Sequence, residues 1–203
     1  MRGAMDQQHR DETPSWIWGL AFAAGDGSLA YDESKAPREL WQAWELEQPN
    51  GDDRPRQVVL DLLGTCKPIE AHHFLHCIGN YEGLTAEFNV VLRRPDCDRA
   101  TALMYFAYFW QNYYDSGRSQ WMDDGQHELM SYIRTRALDG GYTTRKLDVP
   151  ELTLHELEEM REVLVDNKDH PFNLPADFVA MSRKEELFYR LRDKFMPRQA
   201  FAN

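Results

Sequence analysis

The segment over residues 100–114 constrains the fold most, because it is apolar on nearly every face of a helix. Its large apolar side chains are Leu103, Met104, Phe106, Phe109 and Trp110. A helix that is hydrophobic all round lies inside a protein or spans a membrane. This one is shorter than the roughly 18 apolar residues of a membrane span. With Asp98 as a good N-cap, the segment predicts a central core helix.

Shorter patterns of helical period lie on both sides of this segment. They predict helices over about 34–48, 58–64, 68–80, 84–94 and 125–138, the last ending at Gly140-Gly141. Two capping boxes, Thr153 to Glu156 and Ser182 to Glu185, predict two more helices near the C-terminus. No long alternating pattern indicates a strand, and only a short strand or hairpin over 16–31 is allowed. We therefore predict an all-α, multi-helix bundle.

The length and composition indicate one globular domain. A chain of 203 residues matches one typical domain, and 42% hydrophobic residues exclude wholesale disorder. We expect a flexible tail over residues 1–15, a single helical domain over 16–203, and a C-terminal helical extension over about 145–203. The three cysteines, Cys66, Cys77 and Cys97, have no paired spacing and favour a reducing compartment. With no signal peptide or membrane span recognised, we expect a cytoplasmic protein.

The charge balance is acidic, with 34 Asp and Glu against 23 Lys and Arg and a formal net charge of −11. Nucleic acids and anionic membranes attract proteins through clustered Lys and Arg, so neither is an expected partner. An acidic chain is suited to a basic partner, although simple solubility explains the same balance.

The segment from Glu70 to Cys77 is the most metal-like part of the sequence. His72 and His76 lie one helical turn apart, but zinc needs three or four converging ligands, and His127, His155 and His170 are distant in sequence. We expect one or two histidines hydrogen-bonded in a helical core, and no bound metal or other cofactor.

Catalytic signatures are weak. Cys97 lies between Asp96 and Asp98, two negative charges that raise a thiol pKa rather than lower it. The sequence contains no nucleophile elbow, phosphate loop or dinucleotide fingerprint. We therefore expect no catalytic residues and a protein that is not an enzyme.

The acidic residues concentrate between positions 148 and 169, with eight acidic residues against two basic ones. Leu154, Leu157, Met160 and Leu164 occupy one face of the predicted helix, so the carboxylates on the other face point outward. The predicted partner-binding residues are Asp123, Asp124, Glu128, Glu158, Glu159, Glu162 and Asp166. Two alternatives stay open: a merely solvated face, and intramolecular pairing with the basic C-terminal segment from Arg183 to Arg198.

Three stretches carry a family resemblance. They are a Leu-His helix ending in Asn80-Tyr81, an amphipathic helix from Phe88 to Leu92, and Cys97-Asp98-Arg99-Ala100-Thr101-Ala102-Leu103 opening an aromatic helix. Together they resemble a bacterial all-α domain family of unknown function, over a core of about residues 66–116. Glu82-Gly83-Leu84 stands where members usually carry a Trp-Asp-Asp-Gly-like turn.

The resemblance implies an immunity protein, since members resemble proteins found beside toxin genes in bacterial interference loci, including inhibitors of secretion-system effectors. It brings no catalytic residues. The expected partner is a cognate protein toxin, such as a nuclease with a basic active-site groove. The alternatives are a small helical enzyme or metal-binding protein using the His72/His76 region, and an adaptor or chaperone for a secreted effector.

Overall fold

The computed structural model describes residues 33–47, 56–78, 85–116, 124–149, 156–157, 159–165 and 173–195. Of these residues 72% are helical and none lies in a strand, which confirms the all-α prediction. The predicted tail over 1–15 and the strand or hairpin allowed over 16–31 lie outside the described residues. Within the described residues, no helix is both long and apolar enough to cross a bilayer.

The helices follow the sequence pattern closely. They are α1 (Arg38–Glu47), α2 (Gln57–Thr65), α3 (Pro68–Ile78), α4 (Thr85–Leu92), α5 (Arg99–Ser116), α6 (Asp124–Leu138) and α7 (Arg183–Phe195), with a 3₁₀ turn at Glu33–Lys35 and a π-helical turn at Arg161–Val165. Helix α2 packs against α1 and α4, and α6 packs against α5 and α4. Helix α3 packs against the 3₁₀ turn and α4.

Helix α5 is the centre of the bundle. Every side chain over 100–107 is buried, and Trp110 is 0% exposed. Rings from other helices meet it, with Phe88 of α4 lying 4.7 Å from Tyr105 between ring centroids. The prediction of a central core helix is confirmed, because residues on all its faces find apolar neighbours.

The start of α5 is fixed by Asp98, as the sequence predicted. Its Oδ1 accepts the backbone N–H of Ala100 at 2.9 Å, which is an N-cap bond. Its Oδ2 accepts the backbone N–H groups of Lys146 at 2.7 Å and Leu147 at 3.3 Å. Burial nevertheless raises the pKa of Asp98, since desolvation outweighs these three hydrogen bonds. The Asp98 carboxylate thus connects the start of helix α5 to the irregular segment that contains Lys146 and Leu147.

Helix α7 begins with the predicted capping box. Glu185 Oε2 accepts the N–H of Ser182 at 2.6 Å, and Ser182 Oγ accepts the N–H of Glu185 at 3.2 Å. The other oxygen, Oε1, accepts the N–H of Val149 at 2.5 Å. We call the segment 144–149 together with Asp98 and Glu185 the junction, because these two buried carboxylates hold its backbone.

Arg136 of α6 closes the end of α4. Its Nη1 donates to the carbonyls of Leu92 at 2.8 Å and Arg94 at 2.9 Å, and its Nη2 donates to Pro95 at 3.2 Å. The Leu92 carbonyl has no partner within a regular helix end, and the guanidinium binds it together with the carbonyls of Arg94 and Pro95, which follow the helix. Helix α6 itself ends at Leu138, and the chain turns at Gly140, whose φ of 67° lies in the left-handed region favoured by glycine, as predicted.

Candidate protein-binding surface

The acidic stretch carries its apolar and charged side chains on opposite sides. Leu157, Met160 and Leu164 are buried at 0–1% exposure, whereas Glu159 and Glu162 are exposed. The predicted division into an inner apolar face and outward carboxylates is therefore confirmed for these five residues. The remaining predicted members of this set lie outside the described residues: Leu154, Glu158 and Asp166.

The stretch departs from the regular helix that the capping box at Thr153 to Glu156 predicted. Its second half, Arg161–Val165, is π-helical. The carbonyl of Leu164 accepts the N–H of Leu174 at 2.9 Å, so a later segment of the chain binds this turn directly. We call the exposed carboxylates Glu159 and Glu162 the acidic face. They stand on an element whose apolar side is anchored in the core.

Glu156, at the start of this stretch, has a different role. Its Oε2 accepts the indole N–H of Trp110 at 3.0 Å, and the indole ring belongs to the core helix α5. The predicted capping-box partner of Glu156, Thr153, lies outside the described residues. A buried tryptophan usually needs an acceptor for its N–H, and that need was the only sequence signal for this contact.

The predicted residues of α6 lie in a different local setting. Asp124 is exposed at the start of the helix, and Asp123 lies outside the described residues. The side chain of Glu128 is 73% exposed and forms an ion pair with Arg93 at 2.7 Å. Such an exposed pair contributes about 0–1 kcal/mol to stability, so Glu128 remains accessible but already has a basic neighbour.

The basic helix α7 is attached to the junction rather than to the acidic face in the described residues. Lys184 forms an ion pair with Asp148, and Arg99 of α5 lies 3.9 Å from Glu185. The predicted alternative of intramolecular pairing therefore holds for Asp148, one acidic residue of the stretch 148–169. Glu159 and Glu162 have no ion pair or hydrogen bond within the described part of the chain.

The metal-like segment of α3 faces the core. His72 and His73 are both 0% exposed, and His72 Nδ1 lies 2.9 Å from Thr101 Oγ1 of α5. The hydroxyl of Thr101 therefore makes a hydrogen bond that links helices α3 and α5. Buried, hydrogen-bonded histidine in a helical core is thus confirmed for His72.

The histidine rings do not assemble a metal site with other side chains. The centroids of His72 and His76 are 6.5 Å apart, and among the described residues no group of three His, Cys, Asp or Glu side chains could hold a metal ion. His127 is half-buried on α6, and His155 and His170 lie outside the described residues. The expectation of a chain without metal or cofactor stays a prediction.

Cys97 lies in an environment that suppresses thiol reactivity. It is 2% exposed, and its pKa is raised to about 12. Burial is the largest cause, and Arg136 and Arg94 lower the pKa while Asp98 and Asp96 raise it. The sequence argument found the correct direction from the neighbouring carboxylates, but desolvation is the larger effect.

We compared the chain with protein-family models, with curated proteins and with solved structures, and none of the three comparisons found a match. The resemblance to the bacterial helical family therefore remains a prediction carried by the sequence motifs alone.

Proposed function

We propose that this chain is a non-catalytic binding protein of the immunity type, which neutralises a cognate toxin by covering a basic active site. The observation that carries the proposal is the acidic face: Glu159 and Glu162 are exposed on an element whose neighbouring apolar side chains, including Met160, are buried. The fold uses the apolar side of this element and leaves these two carboxylates available.

Other carboxylates of the chain show what a structural role looks like. Asp98, Glu87 and Glu185 are each about 1% exposed and accept hydrogen bonds from backbone N–H groups or from an arginine. The acidic face has neither burial nor such partners within the described residues. Its charge therefore supports a role outside the monomer.

Electrostatics favour a basic partner for this surface. The net charge of −11 attracts a cationic protein over distances near the Debye length, and the local excess of acidic residues directs the approach. A nuclease binds phosphates in a groove lined with basic side chains. Carboxylates can occupy such a groove in place of the substrate phosphates, which would inhibit the nuclease by occlusion.

Nucleophilic catalysis has less support from the described residues. The Cys97 thiol is buried with its pKa raised to about 12, so it is almost entirely protonated near neutral pH. His72, which is 0% exposed, bonds the hydroxyl of Thr101, which is 1% exposed, so a substrate cannot reach this pair in the folded chain. These contacts favour the binding protein over the small helical enzyme.

The test is co-expression of this chain with the product of the gene beside it. We expect that product to arrest growth when expressed alone, this chain to restore growth, and the two proteins to co-purify. The Glu159→Lys/Glu162→Lys variant should lose rescue and co-purification, whereas Glu39→Lys/Glu45→Lys, an equal charge reversal at exposed positions of α1, should retain both. A harmless neighbour, or equal behaviour of the two variants, contradicts the proposal.

A further inference from the structure

Helix α3 places a titratable side chain in the core. His72 is 0% exposed and its Nδ1 lies 2.9 Å from Thr101 Oγ1 on helix α5. The other ring nitrogen, Nε2, is buried and has no hydrogen-bond partner among the described residues. A neutral imidazole tolerates this setting with a single polar contact. A protonated one carries a second N–H and a full charge, and both require a partner.

Among the side chains that the structure describes around α3, none provides a countercharge to His72. The described titratable side chains of the surrounding elements are Lys35 of the 3₁₀ turn, Arg38, Glu39, Glu45 and Glu47 of α1, Glu87 of α4, and Arg99, Tyr105 and Tyr108 of α5, beside Glu70, His73, His76 and Cys77 of α3 itself. Glu87 binds Arg56 at 2.7 Å, and Glu70 binds Lys67. Burial is the largest cause that lowers the pKa of His72 well below its usual value, and the neighbouring His76 and His73 lower it further.

We propose that helix α3 is an acid-sensitive element of the fold, which leaves the core helix α5 when His72 takes up a proton. The inference does not depend on the proposed binding function. Release of α3 would uncover Ala71, Phe74 and Leu75, all 0% exposed in the closed structure. A mild fall in pH would therefore increase the population of an opened bundle with an accessible apolar face.

The pH window follows from the sign of the shift. The folded pKa of His72 lies below the unfolded value of 6.5, so the folded state binds fewer protons at acidic pH. The contribution to stability is complete above about pH 6.5 and is lost as the pH falls below it toward the folded pKa. In that window one histidine raises the equilibrium constant for opening by up to about tenfold per pH unit.

Hydrogen exchange on the full chain tests the proposal directly. Amide protection is measured at about pH 7.5 and about pH 5.5, either side of the ordinary histidine pKa, and corrected for the intrinsic exchange rate. We expect protection in Pro68–Ile78 to fall by about tenfold at the lower pH. Helix Asp124–Leu138 serves as the internal control and should change much less. An equal change in the two helices would overturn the proposal.

Two further measurements separate His72 from general acid effects. His72→Asn retains a polar atom near Thr101 but cannot titrate, so the loss of amide protection at low pH should no longer be larger in α3 than in α6. His127→Asn, which changes the half-buried histidine of α6, should leave the larger loss in α3 unchanged. If His72→Asn does not fold, the proposal is tested by following the NMR signals of the His72 ring through a pH titration of the wild-type protein. We expect them to shift only as α3 opens, and titration near pH 6.5 within an intact α3 overturns the proposal.

Discussion

Two groups of carboxylates in this molecule differ in burial and in use. At the junction, Asp98 and Glu185 are 1% exposed and accept backbone N–H groups from segments distant in sequence. On the acidic face, Glu159 and Glu162 are exposed and accept no such bonds within the described residues. Within the described part of the chain, the fold therefore uses Asp98 and Glu185 to hold its backbone and leaves Glu159 and Glu162 exposed to solvent.

The largest effect is expected at the junction from Asp98→Ala. The change removes the acceptor of three backbone N–H groups, those of Ala100, Lys146 and Leu147. An unsatisfied buried donor costs about 1–3 kcal/mol, so we expect a loss of roughly 3 kcal/mol or more in the free energy of unfolding, measured with urea. Asp98→Asn keeps one acceptor oxygen and should lose less. Equal stability of Asp98→Ala and wild type would remove the structural role of this carboxylate.

Glu185→Ala should have the next largest effect. It leaves the N–H groups of Val149 and Ser182 without their acceptor and removes the carboxylate beside Arg99. We expect a loss of about 2 kcal/mol and, in hydrogen exchange, reduced protection at the start of α7. Glu185→Gln, which retains an acceptor, is the matched control. A stability loss confined to sites far from α7 would contradict this assignment.

Glu156 belongs neither to the junction nor to the acidic face, because its hydrogen bond to Trp110 links the acidic stretch to the core. A double-mutant cycle of Glu156→Ala and Trp110→Phe isolates their interaction. We expect a coupling of about 1 kcal/mol, typical of a net hydrogen bond, from thermal or urea unfolding. Additive effects of the two changes would mean that the 3.0 Å contact contributes nothing.

The smallest stability effect is expected on the acidic face. Glu159→Lys and Glu162→Lys alter exposed side chains without partners in the described residues, and exposed charges contribute about 0–1 kcal/mol each. The melting temperature of the double variant should stay close to that of the wild type. A drop as large as that of Glu185→Ala would show that these glutamates hold the monomer together, and the difference between the two groups would disappear.

Local sequence patterns were enough to predict most of the fold. Apolar spacing located the helices, and short-range capping chemistry identified Asp98 as an N-cap and the pair Ser182 and Glu185 as a capping box. The buried side of Leu157, Met160 and Leu164 also followed from spacing. These features depend on residues within one or two turns of each other, so the sequence contains the necessary information.

Long-range contacts could not be predicted in this way. The second oxygen of Asp98 binds Lys146 and Leu147, and Thr101 binds His72 rather than its own helix. The π-helical turn at Arg161–Val165 likewise accompanies a bond from Leu174. Each of these contacts depends on how helices pack in three dimensions, which hydrophobic periodicity does not encode.

The most direct test of the proposed function is the association rate between this chain and the proposed cognate toxin, once co-expression has identified it, measured by stopped flow at low and high salt. Electrostatic steering raises association rates by roughly 10–1,000-fold, so Glu159→Lys/Glu162→Lys should slow association by about tenfold at low salt and flatten its salt dependence. Glu39→Lys/Glu45→Lys, with the same change in net charge, should remain closer to wild type. Equal rates for the two variants would contradict a specific role of the acidic face in binding.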